Sequence, residues 1–392
     1  MRANAQIIEI ESSAAFLPED GPLRRSPRAP RRKRPEAFWA AFEDRALVYD
    51  CFWSANGNEI VLVCPPPCTL APQWEAARFA AQPSGQALEP RFYISRSTMT
   101  IALGNAPAHT ESVILNFGEG TFHLPVRPNL ADTFANRRVM FTMNKDNDLE
   151  WMTLWADWHA KLHGVDAIIV FDNASTSYAP GTVAETLAAV PGIKTVAVPS
   201  WPYRYGPVDP AVLFHPYWAN FLQVASFRVT VSRLAPRAAG ILNCDIDELV
   251  GIGLDGDAFA ALAKGHDGLA TLKGTWVETA VAPKDADCPH HLRYRYRNAN
   301  RLKSICANKW IISPQAPWAQ NFAYTPMMHR IYGLSKAINK RAPSLPFFHF
   351  KAINTNWKEE RNMAKARNEG THTRLRALDE QVERYMTGSE IA

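Results

Sequence analysis

One stretch of the chain decides its fold, residues 239–250, which read AGILNCDIDELV. The apolar pair Ile241-Leu242 predicts a buried strand, and three carboxylates follow it directly. Because side chains alternate along an extended chain, Asp245 and Asp247 are expected on the same side of it. Mg²⁺ and Mn²⁺ prefer oxygen ligands and usually complete their shells with substrate phosphates. The stretch therefore indicates a divalent-metal site suited to a nucleotide diphosphate.

Length and composition are those of a folded protein with a large core. The chain has 392 residues, enough for two domains, with 47% hydrophobic and 21% charged residues and a net charge of +5. No apolar run reaches the roughly 18 residues of a transmembrane helix, and acids interrupt the N-terminus where a secretory signal needs an apolar core. The 6 cysteines show no disulfide framework and are expected to be reduced. The sequence predicts a cytoplasmic protein.

The first segment, residues 1–40, is rich in Pro and Arg. Its basic residues concentrate between Arg24 and Arg34, and such a composition cannot bury a core. It predicts a flexible basic arm, with a solvated linker as the favoured interpretation. Contact with anionic lipid is the alternative that would place the protein peripherally at the inner face of the membrane. Binding of nucleic acid is not expected.

Residues 41–130 consist of short apolar runs separated by turn residues, which predicts strands. Asn56-Gly57 between two of these runs is a hairpin signal. We expect a small all-β domain, built as a sandwich and joined to the rest by a linker at 125–136. No spacing within it is typical of a catalytic site, so an accessory or oligomerising role is expected.

From residue 137 onward strands and helices alternate. A spacing of four, three and four residues predicts an amphipathic helix with a buried aromatic face for Trp151, Trp155, Trp158 and Leu162. Its expected cap is Asn147 or Asp148, and Gly164 is its expected end. Further strands are expected at 138–143, 165–170 and 193–198, and further helices at 183–190 and 214–234.

This alternation changes how the two aspartates are interpreted. An isolated Asp-x-Asp after a strand most often caps the next segment. In an open α/β sheet, however, ligands bind at the carboxyl ends of the strands. Asp172 and Asp245 both follow expected strands of such a sheet, so a binding site is favoured over a cap.

Four short motifs occur in an order known from one fold. They are Asn144-Lys145-Asp146-Asn147, the helix segment from Leu154-Trp155 to His159 with Gly164, Asp172-Asn173-Ala174-Ser175, and Asp245-Ile246-Asp247-Glu248. This order resembles the GT-A fold glycosyltransferases, and among them the family 2 and family 92 type with an Asp-x-Asp-Glu motif. The resemblance covers residues 138–365. Lys145 departs from it, because many members have an acid directly after the Asn, which leaves open whether Asn144 or Asp146 holds the nucleoside.

The resemblance implies an α/β fold class: a GT-A, Rossmann-like sheet of the nucleotide-diphospho-sugar transferases at 137–365, preceded by the all-β domain. A C-terminal helix is expected at 366–392. The implied activity is metal-dependent transfer of a sugar from a nucleotide-sugar donor, preferably a UDP-sugar, to a glycan or polysaccharide. Mn²⁺ or Mg²⁺ is the implied cofactor.

Site residues follow from the same resemblance. The implied metal ligands are Asp245, Asp247 and His349, with His329 as the less favoured histidine. The implied nucleotide-sugar-binding residues are Asn144, Asp146, Asp172, Asn173, Asp245, Lys351, Lys358 and Arg361. Trp276 is expected to contact the acceptor sugar, and residues 282–300 to form a mobile acceptor loop.

The general base that an inverting transferase needs is not fixed by the sequence. The candidate catalytic residues are Asp247, Glu278 and Asp287, with Asp285 as a further acid after the metal motif. The sequence favours inversion and leaves retention open.

Two other functions remain in competition. A nucleotidyltransferase on a related sheet would usually carry a Gly-rich phosphate loop after its first strand, and residues 144–147 contain no glycine. A non-catalytic binding module using the basic arm would bind its partner in a salt-sensitive way. The sequence does not indicate an oligomeric state.

Overall fold

The computed structural model describes residues 5–27, 34–207, 219–355, 365–366 and 371–388. These residues form a mixed α/β structure whose two main sheets have nine and seven strands. The α-helices are Glu36–Ala41, Ala71–Ala76, Leu149–His163, Pro180–Ala188, Phe221–Val229, Ala258–Lys264, Lys336–Arg341 and Arg376–Thr387. Four small pairs of strands complete the structure: Ala15–Phe16 with Ala46–Val48, Ala280–Val281 with Lys365–Ala366, Tyr296–Asn298 with His372–Arg374, and Thr325–Met327 with Arg330–Tyr332.

The nine-stranded sheet begins as a parallel sheet and continues as a mixed one. Its first five strands run parallel to one another, and the sixth is antiparallel to its neighbours. In spatial order the strands are Gln6–Ile8, Thr195–Ala197, Ala167–Asp172, Arg138–Asn144, Gly240–Asn243, Ile305–Ile312, Leu269–Val277, Ser344–Phe350 and Glu248–Val250.

The direction in which this sheet grows reverses beside its central strand, Arg138–Asn144. The chain first adds Ala167–Asp172 and then Thr195–Ala197 on one side of it. It then returns and adds Gly240–Asn243 on the other side. A crevice forms at the carboxyl ends of strands where such a reversal occurs, and open α/β sheets bind their ligands there. The stretch that carries Asp245 leaves the sheet at this point.

The helix Leu149–His163 begins and ends where its sequence predicts. The Asp148 carboxylate accepts a hydrogen bond from the Glu150 amide, so Asp148 rather than Asn147 is the cap. Gly164 ends the helix with a φ of 59°, a left-handed conformation that suits glycine. Trp155 and Trp158 are fully buried against the sheet, as their spacing predicts.

The seven-stranded antiparallel sheet is one continuous curved sheet. Its two edge strands contact each other, so it approaches a closed barrel. The predicted sandwich is therefore wrong, because a sandwich needs two separate sheets packed face to face. In spatial order the strands are Gly120–Pro125, Ser112–Phe117, Arg78–Gln82, Ala87–Ile94, Met99–Gly104, Ile60–Cys64 and Asp50–Trp53.

This sheet shares a hydrophobic core with the nine-stranded sheet. Tyr49 stacks on Trp201 with ring centroids 5.8 Å apart, and both rings are buried. A buried ion pair adds to the contact, since Arg233 Nη1 lies 2.7 Å from Asp50 Oδ2. The two sheets are therefore packed as one structure in the described part of the chain.

The predicted flexible arm is wrong for most of its length. Gln6–Ile8 pairs in parallel with Thr195–Ala197 as an edge strand of the large sheet. The guanidinium of Arg25 is buried and donates to the carbonyl oxygens of Pro66, Glu43 and Ala46. A charged side chain can be buried in this way when backbone carbonyls satisfy its donors. Residues 28–33, which hold most of the remaining basic side chains, lie outside the described residues.

Two predicted helices differ from the observed ones. Within the predicted helix 214–234, an α-helix spans Phe221–Val229 and a π-helix spans Thr230–Leu234, while 214–218 lie outside the described residues. The C-terminal helix begins at Arg376 rather than near 366, after the strand His372–Arg374. In the part of the chain that the structure describes, no helix combines the length and apolar character needed to cross a bilayer.

Candidate metal centre

A cavity of about 120 Å³ lies at the crevice where the large sheet reverses its direction. One wall is the end of the central strand, with Asn144 and Lys145, and another is the segment from Asp245 to Asp247. His349 contributes from a more distant strand. The other lining residues are Met143, Asn147, Asn173, Tyr205, Gln223, Ile353, Asn354 and Thr355.

The two aspartates lie in a tight turn rather than in an extended strand. The Glu248 amide donates to the Asp245 carbonyl at 3.0 Å, and the Asp245 amide donates to Glu248 Oε2 at 2.8 Å. The predicted extended conformation of Asp245 to Asp247 is therefore wrong, although both aspartates line the cavity. After the turn, Glu248–Val250 crosses to the far edge of the sheet, which brings the Glu248 carboxylate under the same site.

His349 lies between two carboxylates. Its Nε2 is 2.9 Å from Asp247 Oδ2, and its Nδ1 is 3.5 Å from Glu248 Oε1. Pairing of adjacent strands places Glu248, His349 and Trp276 side by side, and the Trp276 and His349 rings stack with centroids 4.0 Å apart. Burial alone would lower the pKa of His349. The nearby Asp247 carboxylate stabilises the imidazolium more than burial disfavours it, and raises that pKa to about 10.

Asp247, Glu248 and His349 form a group that suits a divalent cation. Each offers one ligand atom, and these atoms lie within 4.8 Å of one another. Glu248 Oε1 is buried and makes no hydrogen bond to any described residue, which is costly unless a cation satisfies it. Burial raises the pKa of Glu248 to about 7. Carboxylate oxygens with an imidazole nitrogen are a donor set that Mn²⁺ accepts.

Lys309 also belongs to the candidate site, although no sequence pattern pointed to it. Its side chain is only 3% exposed, and its Nζ lies 2.6 Å from Asp245 Oδ2 and 3.2 Å from Glu248 Oε2. Burial alone would lower the pKa of Lys309, but these two carboxylates raise it above its ordinary value. Thr142 Oγ1 donates to the other oxygen of Asp245 at 3.2 Å. Asp245, predicted as a metal ligand, is thus a partner of Lys309 and stands outside the three-residue group.

Asp172 supports the cavity wall but does not line it. It is buried, and its Oδ1 accepts hydrogen bonds from Asn144 Nδ2 at 2.9 Å and from Ser175 Oγ. Asn144, which does line the cavity, is held in place by this contact. Asp172, predicted to bind the nucleotide, therefore does not face the cavity and instead orients Asn144.

Asp146 also serves the structure of the wall. Its Oδ1 accepts from the amides of Thr176 and Ser177 at 2.6 and 2.8 Å. Slight burial alone would raise the pKa of the Asp146 carboxyl, but these hydrogen bonds outweigh it and lower that pKa. Asp146 is not among the residues that line the cavity, so Asn144 is the one that faces it.

The cavity has one basic residue at this wall. Lys145, the departure from the glycosyltransferase pattern, lines the cavity, and its Nζ donates to the carbonyls of Asn173 and Ala174 at 3.3 Å. Asn173, predicted to bind the nucleotide sugar, lines the cavity, and its amide donates to the Trp201 and Tyr203 carbonyls. Of the other predicted cations, Lys351 is paired with Glu278 at 2.8 Å, while Lys358 and Arg361 lie outside the described residues.

Buried histidines hold the acidic segment from behind. His159 Nε2 accepts from the Val250 amide at 3.2 Å, and His163 Nε2 donates to the Val250 carbonyl at 2.9 Å. His291 Nε2 donates to the carbonyl of Ile246 at 2.8 Å. Burial lowers the pKa of His163 and of His291 to about 4. These neutral imidazoles fix the backbone on both sides of Asp247.

The predicted acceptor side is partly assembled. Trp276 is half-buried beside His349, and Glu278 follows on the same segment. Asp287 is exposed and does not line the cavity, while Asp285 is buried and paired with Arg374. The predicted mobile loop at 282–300 is built from two 3₁₀ turns and a strand, Pro283–Asp285, His290–Arg293 and Tyr296–Asn298.

Comparison with known proteins adds no assignment to this geometry. No protein-family model matches the chain, and no curated protein matches it in sequence.

Proposed function

We propose that this protein is a divalent-metal-dependent glycosyltransferase with a GT-A type fold, taking its sugar from a nucleoside diphosphate donor. One observation carries the proposal: a candidate metal site and a polar cavity coincide at the point where the sheet reverses. Crevices of this kind are where open α/β sheets bind nucleotides. The order of the four motifs along the chain supports the same assignment.

Asp247, Glu248 and His349 would hold the cation. When bound, a divalent ion stabilises the negative charge that develops on a leaving diphosphate. The residues themselves orient the site, because the three buried histidines fix the backbone that carries Asp247. For His349 to act as a ligand its imidazole must be neutral, so its proton has to leave when the cation binds.

The opposite wall suits the nucleoside and its phosphates. Asn144 and Asn173 present amide groups to the cavity, and Lys145 adds a positive charge. Tyr205 and Gln223, joined by a hydrogen bond of 2.8 Å, line its far side. An aromatic face beside amide groups can stack on a base and bind its edge. Uridine is the base we propose, on the resemblance to the GT-A enzymes.

The acceptor would bind on the Trp276 side, where a ring beside the cation site can stack on a sugar. In the proposed inverting reaction, the acceptor hydroxyl oxygen forms a bond to C1 of the sugar. The bond from C1 to the phosphate oxygen breaks, and the nucleoside diphosphate leaves with the electron pair. We assign the proton of the hydroxyl to Glu278, which follows Trp276 on the same segment and is half-buried, whereas Asp287 is exposed. Neither acid is among the residues that line the cavity.

The proposal is tested by screening nucleotide sugars for release of the nucleoside diphosphate in the presence of Mn²⁺. We expect slow hydrolysis of one donor by the wild type, faster with an acceptor glycan, and loss of both on chelation of the metal. Asp247→Asn is expected to reduce the rate about a hundredfold or more, the scale of one transition-state-stabilising group.

Asp255→Asn is the matched control, because Asp255 is a partly exposed aspartate paired with Lys264 and is not among the residues that line the cavity. It should leave the rate unchanged. If no nucleotide sugar is hydrolysed and no nucleoside diphosphate raises the melting temperature with or without Mn²⁺, the transferase proposal fails. Release of pyrophosphate from a nucleoside triphosphate would instead favour the nucleotidyltransferase.

A further inference from the structure

We infer that Lys309 is a permanent cation of the metal centre, occupying between Asp245 and Glu248 the position at which a second divalent ion would otherwise bind. The protein is then limited to one exchangeable ion, held by Asp247, Glu248 and His349. This inference rests on the metal site within the proposed function, but it does not require transferase activity.

The geometry around Lys309 is that of an ion bridging two carboxylates. Its Nζ contacts one oxygen of Asp245 at 2.6 Å and one oxygen of Glu248 at 3.2 Å. The other oxygen of Glu248 is the buried atom that lacks a hydrogen bond among the described residues, and it faces His349. Glu248 thus has one oxygen turned to the lysine and one turned to the candidate metal ligands.

The charges are consistent with a single divalent ion. With a cation bound its carboxylate ligands are deprotonated, so Asp245, Asp247 and Glu248 then supply three negative charges, and Lys309 neutralises one of them. With His349 neutral as a ligand, two negative charges remain, and one divalent cation balances them. Without the ammonium the same carboxylates would have an excess negative charge in a buried place, which is unfavourable unless another cation enters.

Lys309 is placed firmly enough for this role. It lies on the strand Ile305–Ile312, which pairs with Gly240–Asn243 and so is fixed next to the turn of Asp245. Its side chain is 3% exposed, so it acts on the site through the two carboxylates and not by contact with a substrate. A purely structural ion pair would have the same contacts, but it predicts no change in the number of bound ions.

The number of bound ions therefore tests the inference. We would dialyse the full-length protein against Mn²⁺ without nucleotide and measure the metal bound per chain by mass spectrometry, with the affinity from electron paramagnetic resonance. We expect one ion in the wild type. Lys309→Ala removes the charge and opens space, and should bind two. Lys309→Met removes the charge but keeps the side chain's bulk, and should bind no second ion.

A second comparison remains informative should Lys309→Ala not fold. Asp245→Asn should still bind a single ion, with a smaller loss of affinity than Asp247→Asn, because Asp245 adds charge to the site but is the partner of Lys309 and not a ligand. Asp247→Asn should lose at least about tenfold in affinity, because loss of a ligand should cost no less than loss of a ligand's outer-shell partner. Lys264→Ala, which breaks the exposed pair with Asp255, is the matched lysine control and should still bind one ion.

The outcomes separate this inference from the proposed function. A folded Lys309→Ala that binds a single ion, or an Asp245→Asn that loses the ion as completely as Asp247→Asn, overturns the role of Lys309. A wild type that binds no Mn²⁺ overturns the metal centre and this inference with it. A wild type that binds one ion, gains a second in Lys309→Ala, and hydrolyses no nucleotide sugar supports the inference while the transferase proposal fails.

Discussion

His349 is the residue whose contacts best define the candidate centre, because its imidazole bridges Asp247 and Glu248. We predict that His349→Gln lowers the affinity for Mn²⁺ by about tenfold or more, since it removes one of three ligands. Isothermal titration calorimetry on the nucleotide-free protein would measure this. His123→Gln, at an exposed histidine of the seven-stranded sheet, is the control, and equal affinities in both variants would exclude His349 as a ligand.

The sequence predicted that the acidic segment 245–248 and His349 belong to the site but missed how the charges are shared. Lys309 lies 64 residues from Asp245 along the chain, and nothing local distinguishes it from the other basic residues. Its one local signal is that it directly precedes an apolar run, Trp310-Ile311-Ile312. Only the pairing of the strand Ile305–Ile312 with Gly240–Asn243 shows that Lys309 and Asp245 lie together. The burial of Asp172 could not be predicted either, because its partner Asn144 lies on a different strand.

The helix Leu149–His163 connects the core to the candidate centre. His163 donates from Nε2 to the Val250 carbonyl and accepts at Nδ1 from the Ala258 amide at 3.1 Å. Protonation of Nδ1 would break the hydrogen bond from the Ala258 amide. Its pKa of about 4 in the folded protein lies below the roughly 6.5 of an unfolded histidine. The native state therefore binds fewer protons, and the stability from the neutral form is present above about pH 6.5 and lost as the pH falls towards 4.

We predict that His163→Gln flattens this acid dependence. Near pH 5 the slope of unfolding free energy against pH should fall by about 1.4 kcal/mol per pH unit, the contribution of one proton. Urea unfolding followed by circular dichroism between pH 4 and 7 would measure the slope. His123→Gln should keep the wild-type slope. An unchanged slope in His163→Gln would show that His163 is not held neutral.

Elements with a strong periodic pattern were predicted well, and those set by distant contacts were not. The helix at residue 149 follows from its aromatic spacing and its two caps. The turn from Asp245 to Glu248 was predicted as extended, because its bonds come partly from the Glu248 side chain. The ordered N-terminal strand was missed, because Gln6–Ile8 gains its hydrogen bonds only from Thr195–Ala197, far along the chain.

For the molecule as a whole, the alternation of strands and helices predicted a mixed α/β structure with an all-β part before it. The sequence could not show that the two parts share a core, since the spacing of Tyr49 or Phe52 does not reveal which face of the sheet meets Trp201. The composition near Arg24 indicated an exposed arm. The groups that accept hydrogen bonds from Arg25 are backbone carbonyls. Because every residue has such a carbonyl, amino-acid composition does not indicate where a buried arginine will find its acceptors.

The buried pair of Asp50 and Arg233 provides a test of this shared core. We predict that Arg233→Met destabilises the protein by about 3–5 kcal/mol, because the Asp50 carboxylate is left buried without its counter-charge. Asp50→Asn combined with Arg233→Met should recover part of the loss. Guanidinium unfolding followed by both tryptophan fluorescence and circular dichroism should give one transition. Two separate transitions would mean that the sheets unfold independently.

The central claim is that one cation and a nucleoside diphosphate meet in the cavity where the large sheet reverses. The most direct measurement is anomalous diffraction at the manganese edge from crystals grown with MnCl₂ and UDP. We predict a single manganese peak in contact with Asp247, Glu248 and His349, with both phosphates beside it and the nucleoside against Asn144. Manganese bound elsewhere, or UDP density outside this cavity, would contradict the claim.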